Sequence, residues 1–520
     1  MLKVTTMRHK GHSETRRWLK TILRVFRVCV VIFTNIRVKM TFSKVDDTKL
    51  KSNKTESSMH IEQMYTNCLA EAAYYIESDG EAAIIDPIRE TNPYVLKAKE
   101  RGVKIKYVFE THFHADFVSG HLDLARETGA EIVFGPHANT AYKVHHATDG
   151  EVLTIGKISI RVLHTPGHTP ESTCYLLLDE QGNEYCVFTG DTLFVGDVGR
   201  PDLLDGTMSK EELAGMMYDS LRKHILPLND KTLVYPAHGP GSACGKNIGK
   251  ETWSTIGEQR KTNYALGNMS REAFISILTT GLNTPPPYFF NDAAINKNGY
   301  DALDSVMQKN MKPLSPHDLE LEMEQGAKIL DTREAAAFEK GFIHHSINIG
   351  LEGTFAVWVG TLIDINSPLV IVADAGKEKE TILRLARVGY ENILGYLDGG
   401  IKAWTKAGNG LETIDSVTPQ VFCSLMGNKN ETVIDVRKAG EYDTCHVKGA
   451  KLIPLSDLEA QIRFFEPNKK YLIHCAGGYR SMIASSILKL HGITNIRNVS
   501  GGMAKIKEAG APTEATKVEA

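Results

Sequence analysis

From Met59 to about Gly281, short apolar runs alternate with turns and ionisable residues. Ala82–Asp86, Lys106–Glu110, Ile158–Leu163, Tyr185–Thr189 and Leu233–Tyr235 have the length and composition of strands. Stretches of helical pattern, such as Glu211–Lys223, lie between some of them. This alternation predicts α/β layers. Thr284-Pro285-Pro286-Pro287 breaks the pattern, and Lys312-Pro313-Leu314-Ser315-Pro316 breaks it again. The segment between is expected to be an extended arm over the first domain, or a linker.

Beyond Pro316 the pattern repeats in degenerate form. Ile329-Leu330-Asp331-Thr332-Arg333 matches Val433-Ile434-Asp435-Val436-Arg437, 104 positions on. Leu369–Asp374 matches Tyr471–Cys475, and Asp398-Gly399-Gly400 matches Ser500-Gly501-Gly502. That spacing is too long for a solenoid period and fits two copies of a domain of ordinary size. The expected architecture is α/β multidomain: one large domain, then a tandem pair.

Composition narrows the function. The 520 residues hold 60 Lys+Arg against 63 Asp+Glu, for a net charge of -3, which excludes nucleic-acid binding by bulk electrostatics. No window reaches the ~18 unbroken apolar residues of a membrane span. The charge is uneven, however: residues 1–58 hold 14 basic and 4 acidic side chains. This head lacks a clean apolar run and a small-residue cleavage site, which argues against a signal peptide. Its Arg-rich, acid-poor character resembles a mitochondrial presequence. The preferred expectation is a disordered or over-extended start, with Met40 and Met59 both available. The 8 cysteines show no framework spacing, which points to a reducing, cytoplasmic compartment.

Four strand-like runs end in residue types that ligate metals: Thr111-His112-Phe113-His114-Ala115-Asp116-Phe117, Thr165-Pro166-Gly167-His168, Thr189-Gly190-Asp191 and Tyr235-Pro236-Ala237-His238. Any one such histidine is commonly structural. Four stations in order at one sheet edge can converge on a cation. Here the sequence resembles the metallo-β-lactamase-fold superfamily, with its His-x-His-x-Asp-His motif, which implies an αββα sandwich. Phe117 stands where the motif's final His should be. In dinuclear members that His serves the second metal, so a two-zinc hydrolase becomes less expected. The resemblance is to the persulfide dioxygenase group, related to glyoxalase II. It implies one Fe(II) per chain on His112, His168 and Asp191, with zinc as the alternative metal. His114, Asp116 and His238 then become neighbours that hold ligands and water, or direct ligands of a zinc form. Cys244, in Gly241-Ser242-Ala243-Cys244-Gly245, is either a small buried thiol or a redox or persulfide-carrying one. Arg200, Arg260 and Lys261 are candidates for binding a thiol cosubstrate, with surface solvation the more ordinary fate.

In the last copy Tyr471-Leu472-Ile473-His474-Cys475-Ala476-Gly477-Gly478-Tyr479-Arg480-Ser481 delivers a cysteine from a strand into a Gly-rich loop that opens into a helix. The loop N–H groups of Ala476, Gly477, Gly478 and Tyr479, the helix N-terminus and Arg480 suit a thiolate with an anionic cargo. Four residues separate Cys475 from Arg480. Cys-to-Arg phosphatases use five, and the smaller ring suits sulfur. The segment resembles a rhodanese. The middle copy has Asp374 at the nucleophile position and Lys379 at the Arg position, so it is expected to be inactive and structural.

The whole order resembles persulfide dioxygenase–rhodanese fusions. The expected layout is a metallo-β-lactamase-fold domain at 59–281, an arm at 282–314, an inactive rhodanese-like domain at 315–411, an active one at 416–512 and a tail at 513–520. The resemblance implies oxidation of a low-molecular-weight thiol persulfide by O2 to sulfite and thiol, with Cys475 passing sulfane sulfur to give thiosulfate. Such a chain needs no nucleic acid or membrane, and homo-oligomerisation is left open. The alternatives are a zinc thiolester hydrolase of the glyoxalase II kind and a non-catalytic sulfur carrier or sensor.

Overall fold

Strands buried on both faces read as continuous apolar runs, and this explains the first domain's sequence. In the computed structural model, which describes residues 59–203, 208–282, 284–428 and 430–516, these runs build two six-stranded sheets. The first comprises β1 (Met59–Thr66), β2 (Glu71–Ser78), β3 (Glu81–Ile85), β4 (Lys104–Glu110), β5 (Glu131–Phe134) and β6 (His145–His146), in that spatial order. The second runs β12 (Ser254–Thr255), β11 (Leu233–Pro236), β10 (Glu184–Gly190), β9 (Thr173–Leu178), β8 (Ile158–His164), β7 (Val152–Ile155). Alternate residues of one strand serve different cores. Ala72, Tyr74 and Ile76 of β2 join Tyr175 and Leu177 of β9 between the sheets. Cys174, Leu176 and Leu178 of β9 face outward onto the helix Lys210–Ser220 through Ala214 and Met217. The expected αββα sandwich is what forms.

The tandem copies have identical topology. One parallel sheet is β13 (Pro313–Leu314), β17 (Ile393–Leu397), β16 (Leu369–Val372), β14 (Lys328–Asp331), β15 (Ser346–Asn348). The other is β18 (Asp415–Val417), β23 (Ile496–Val499), β22 (Lys470–His474), β19 (Glu431–Asp435), β21 (Lys451–Leu452). The repeated Asp-x-Arg is a buried ion pair in both: Arg333 Nη2 lies 2.6 Å from Asp331, and Arg437 Nη2 2.6 Å from Asp435.

The segment expected to be extended is helical. Pro287 caps α1 (Tyr288–Asn298), and the helix Leu303–Asn310 follows. A proline run lacks only the N–H groups that a first helical turn leaves unpaired anyway, so it opens a helix as readily as it blocks one. The arm is no loose linker: Asn296 donates to the carbonyls of His114 and Phe117, both at 2.8 Å, and accepts from Ser119 N at 2.9 Å. Tyr288 and Phe289 enter a hydrophobic core that also contains Phe117, Val359 and Leu385, and extends to Ile473 and Cys475. One core thus runs through all three folded parts. Among the described residues no helix is long and apolar enough to cross a membrane. The basic head, residues 1–58, lies outside the described residues.

Replacing Asn296 with Ala leaves two carbonyls and one N–H of the first metal-binding loop buried without partners. We expect a loss of about 2–3 kcal/mol, since each orphaned buried group costs roughly 1–3 kcal/mol and partial relaxation recovers some of that. A lowered denaturant midpoint at unchanged slope reads it.

Candidate metal centre and sulfur loop

Strand ends deliver the donors. Thr111 follows β4, and both its N–H (2.7 Å) and its hydroxyl (2.9 Å) donate to the Asp86 carboxylate at the end of β3. Asp86 has a left-handed backbone, φ 49°, a conformation that costs a non-glycine residue about 1 kcal/mol and which these two bonds offset. The Thr111 hydroxyl lies 3.0 Å from His112 Nδ1. His168 Nδ1 donates to the Arg200 carbonyl at 2.7 Å, and His238 Nδ1 to the Ala70 carbonyl at 3.1 Å. A carbonyl only accepts, so in these two rings Nδ1 carries the hydrogen and Nε2 is left with a lone pair. Asp191, at the end of β10, comes close because Gly190 (φ 50°) lies where a Cβ would strike the Thr111 side chain. Gly199 plays the same part behind the pair: a Cβ there would lie 2.2 Å from the Asp191 carbonyl.

Two donor sets share this pocket. His112, His168 and Asp191 offer ligand atoms within 4.8 Å of one another, and so do Asp116, His238 and Cys244. Asp191 spans both: Oδ2 is 3.4 Å from His168 Nε2 and Oδ1 is 3.6 Å from His238 Nε2. His168 Nε2, His238 Nε2 and both Asp191 oxygens are buried and have no hydrogen-bond partner. Four bare polar atoms in one buried pocket are costly unless a cation lies among them, so the residues fit a metal. Burial, then the neighbouring His114, His168 and His238, push His112 well below the usual imidazole range, keeping it neutral as a ligand must be.

The His114 ring lies against that of His112, centroids 4.3 Å apart, but its ligand atoms group with other acids. Its Nε2 lies 3.1 Å from Asp86 and 3.5 Å from Glu110, in a third buried group. Burial opposes its charge, but Asp86 and Glu110 outweigh that and push it up to about 9. Glu71 lies buried among the same acids, its carboxyl pushed well up by burial and then by Asp86, Asp116 and Glu110. The Phe117 ring is fully buried, 4.4 Å from that of His114. Asp86, Glu110 and Glu71 were not singled out from sequence. The carboxylate closing the run Ala82–Asp86 was the available sign.

The basic candidates turn out to be bound within the protein. Arg200 is buried, pairs with Asp202 at 2.7 Å and donates to Ala243 O, bracing the Cys244 loop. Arg260 binds Asp230 and Leu228 O, and Lys261 binds Glu258. Cys244 is 1% exposed, and burial followed by Asp116 and Asp191 pushes its thiol well above the ordinary range.

In the last copy Cys475 leaves β22, and its sulfur accepts the Gly478 N–H at 3.1 Å. Gly478 has φ 106° and caps α4 (Tyr479–Leu490), so the thiol faces a helix N-terminus. In chain order before it, α2 (Phe355–Leu362) and α3 (Glu378–Ala386) belong to the middle copy. Arg480 forms a two-pronged pair with Glu441 at 2.6 and 2.9 Å. The hydroxyl of Tyr479 donates to Gly350 O of the middle copy at 2.8 Å. At the matching place in that copy Asp374 is exposed. A carboxylate cannot accept sulfane sulfur.

A profile described as the metallo-beta-lactamase superfamily matches residues 66–238, and one described as a rhodanese-like domain matches 315–407 and 418–509. The mitochondrial persulfide dioxygenase ETHE1 of Homo sapiens is 32% identical over 210 residues, 40% of this chain and 74% of that protein. A probable hydroxyacylglutathione hydrolase of Schizosaccharomyces pombe is 34% identical over 165 residues, 31% of this chain and 60% of that one. The crystal structure of a metallo-beta-lactamase from Staphylococcus aureus subsp. aureus COL is 31% identical, with a TM-score of 0.58, covering 66% of this chain and 98% of that one.

Thiol environments set an order of reactivity. Burial works against the Cys445 thiolate, but hydrogen bonds from Lys507 and Thr513 and the charges of Lys507 and Arg437 hold its pKa below the ordinary value. Iodoacetamide at neutral pH is expected to label Cys445 well before Cys244, Cys174 and Cys186, whose pKa values are raised, with the gap closing as pH rises. Peptide mass spectrometry at timed quench gives the order.

Proposed function

This chain belongs to the metallo-β-lactamase superfamily, in a form that continues into two rhodanese-like domains, and on that premise we propose that it is a persulfide dioxygenase coupled to a sulfurtransferase. The observation that carries the reading is a buried donor set of two histidines and one carboxylate in the same compact unit as a loop-held thiol. We assign the metal chemistry to residues 59–281, the silent copy to 315–411 and sulfur transfer to 416–512.

In this reading His112, His168 and Asp191 hold one Fe(II). Bound there, iron would supply the redox chemistry for joining O2 to a persulfide sulfur. The balanced conversion takes persulfide anion, O2 and water to thiol, sulfite and one proton. The chain's own residues do the rest. Arg200 and Ala70 carbonyls fix two imidazoles by their far nitrogens, as the Thr111 hydroxyl supports the third. Asp116, His238 and Cys244 stand ready beside the triad to orient substrate or water. Walls drawn from the shared core exclude bulk solvent, which keeps hydrolysis of the persulfide from competing. At Cys475 the Gly478 N–H donates to the sulfur at the start of α4 and holds it in place, both before it takes sulfur and after it gives sulfur up.

A zinc thiolester hydrolase remains the second reading, supported by the Asp116, His238 and Cys244 set and by the hydroxyacylglutathione hydrolase relative.

O2 consumption by anaerobically iron-loaded protein on adding a thiol persulfide, with a metal assay on the same sample, separates them. We expect one iron per chain, O2 uptake and release of sulfite or thiosulfate. His112→Ala should lose both metal and O2 uptake; Cys475→Ser should keep both while sulfur transfer falls by orders of magnitude. Two zincs, no O2 uptake and turnover of an S-acyl thiol would overturn the proposal.

A further inference from the structure

Besides the Tyr479 contact, the middle copy reaches Cys475 along a line of hydrogen bonds through the body of the last copy. Cys475 Sγ donates to the Ser481 hydroxyl oxygen at 3.6 Å. Ser481 donates to Asn498 Oδ1 at 2.7 Å, and Asn498 Nδ2 donates to the Ser416 hydroxyl at 3.2 Å. Ser416 in turn donates to Glu339, which belongs to the middle copy. Ser416 and Asn498 are paired across β18 and β23, so the sheet itself sets their register.

Both ends of this line are packed in place. The main-chain carbonyl of Glu339 accepts Ile414 N at 3.0 Å. Its chain neighbours Phe338 and Phe342 stack with ring centroids 4.2 Å apart. They share a small core with Ile414 and with Met482, the residue after Ser481.

The chemistry of its members gives the line one direction. A carboxylate only accepts, so Ser416 commits its single hydrogen to Glu339 and offers Asn498 only oxygen. Asn498 then turns its amide nitrogen to Ser416 and its amide oxygen to Ser481. Ser481 commits its hydrogen to that oxygen; its other acceptor is Gly478 O at 3.1 Å, and neither is the sulfur. Toward Cys475 it presents a lone pair.

We propose that Glu339 is a positioning residue for Cys475: through Ser416, Asn498 and Ser481 it keeps the hydroxyl beside the sulfur from donating to it. The use of this device rests on the sulfurtransferase reading above. In that reading the Cys475 thiolate attacks the outer sulfur of a donor such as thiosulfate. The donor's S–S bond breaks, a new one forms to Cys475, and sulfite leaves with the electron pair. A hydroxyl that donates to a thiolate keeps more of the sulfur ionised at low pH but blunts each ionised sulfur as a nucleophile. Turning Ser481 away leaves the ionised sulfur at its most reactive for the attack. The middle copy, with Asp374 where the nucleophile would stand, thus keeps a chemical part, one carboxylate acting through a line of side chains.

The test is the pH dependence of Cys475 alkylation in the full chain, with iodoacetamide as probe and peptide mass spectrometry as readout. Glu339→Gln replaces a pure acceptor by a group that also donates, so the line is free to reverse. Ser481 then turns to the sulfur, because a thiolate is a stronger acceptor than the neutral Gly478 carbonyl. At low pH, about tenfold more thiolate set against about threefold lower reactivity makes the variant about threefold faster than the unaltered chain. At high pH, where the sulfur is ionised in both, the variant is about threefold slower. The two curves cross, which a merely structural loss would not produce. Ser416→Ala breaks the line at another link and is expected to give the same crossing. In a Ser481→Ala chain, which has no hydroxyl to turn, adding Glu339→Gln is expected to change nothing. Parallel curves for Glu339→Gln, or for Ser416→Ala should the first not fold, overturn the inference, as does a Glu339→Gln effect that survives Ser481→Ala. Transfer of sulfur from thiosulfate to cyanide by the unaltered chain is measured alongside. Absence of thiocyanate brings down the sulfurtransferase reading, while the alkylation curves still decide the role of Glu339.

Discussion

An imidazole can offer one nitrogen to a metal in a fixed direction only if its other nitrogen is committed elsewhere, and much of this structure serves that commitment. The partners of His168 and His238 are main-chain carbonyls, of Arg200 and Ala70, and carbonyls cannot rotate away as side chains can. Their placement draws in distant features. Ala70 sits in the turn between β1 and β2, and Ala72 N bonds Ala237 O beside His238. Arg200 N bonds Cys244 O, so the stretch holding His168 also positions the thiol. The glycines at 190 and 199 are needed because the main chain must pass behind ligands with no side chain in the way.

The first domain and the middle copy are held to one another by pairs whose misalignment would be expensive. Arg89 is fully buried, with Nη2 2.7 Å from Glu391, while its neighbour Glu90 pairs with Arg387. The two pairs cross: a cation and an anion from the first domain meet an anion and a cation from the middle copy. A buried pair adds little net stability over apolar packing, since desolvation offsets the attraction, but leaving one partner alone costs about 3–5 kcal/mol. Crossed pairs therefore act on register: a slip that broke both would leave four charges unsatisfied, which the apolar core alone would not penalise.

What could be read from the sequence follows from how local each feature is. The strands before His112, His168, Asp191 and His238 were legible because a buried strand announces itself in five or six residues. Their bounds differ by a residue or two, as with Tyr185–Thr189 against Glu184–Gly190. The tandem repeat was legible because the Asp-x-Arg pair and the thiol loop each lie within one short segment. The helix Glu211–Lys223 was legible, although the structure ends the α-helix at Ser220 and turns through a wider coil to Ile225. The arm was misjudged as extended, because its helices owe their stability to Tyr288, Phe289 and Asn296 finding partners more than 150 positions away. Tyr479 meets Gly350 across 129 positions and His114 meets Asp86 across 28, and although Glu110 lies only four residues before His114, nothing in that spacing shows that the two side chains meet in a buried group.

The continuous core bears on the order in which the chain is made. Domains fold from the N-terminal end as synthesis proceeds, at roughly 5–20 residues per second. The metal domain is therefore finished while its partner face, around Phe117, Leu69 and Phe194, still waits for Tyr288 and then for α2 and α3. That wait lasts on the order of ten seconds, during which an apolar surface built for burial stands open. Cys475 follows the middle copy in the chain, and its loop gains the Gly350 contact only after that copy is in place. The nascent protein thus carries bare apolar surface early and the loop-held thiol of Cys475 late, so the period of greatest stickiness precedes the appearance of that thiol.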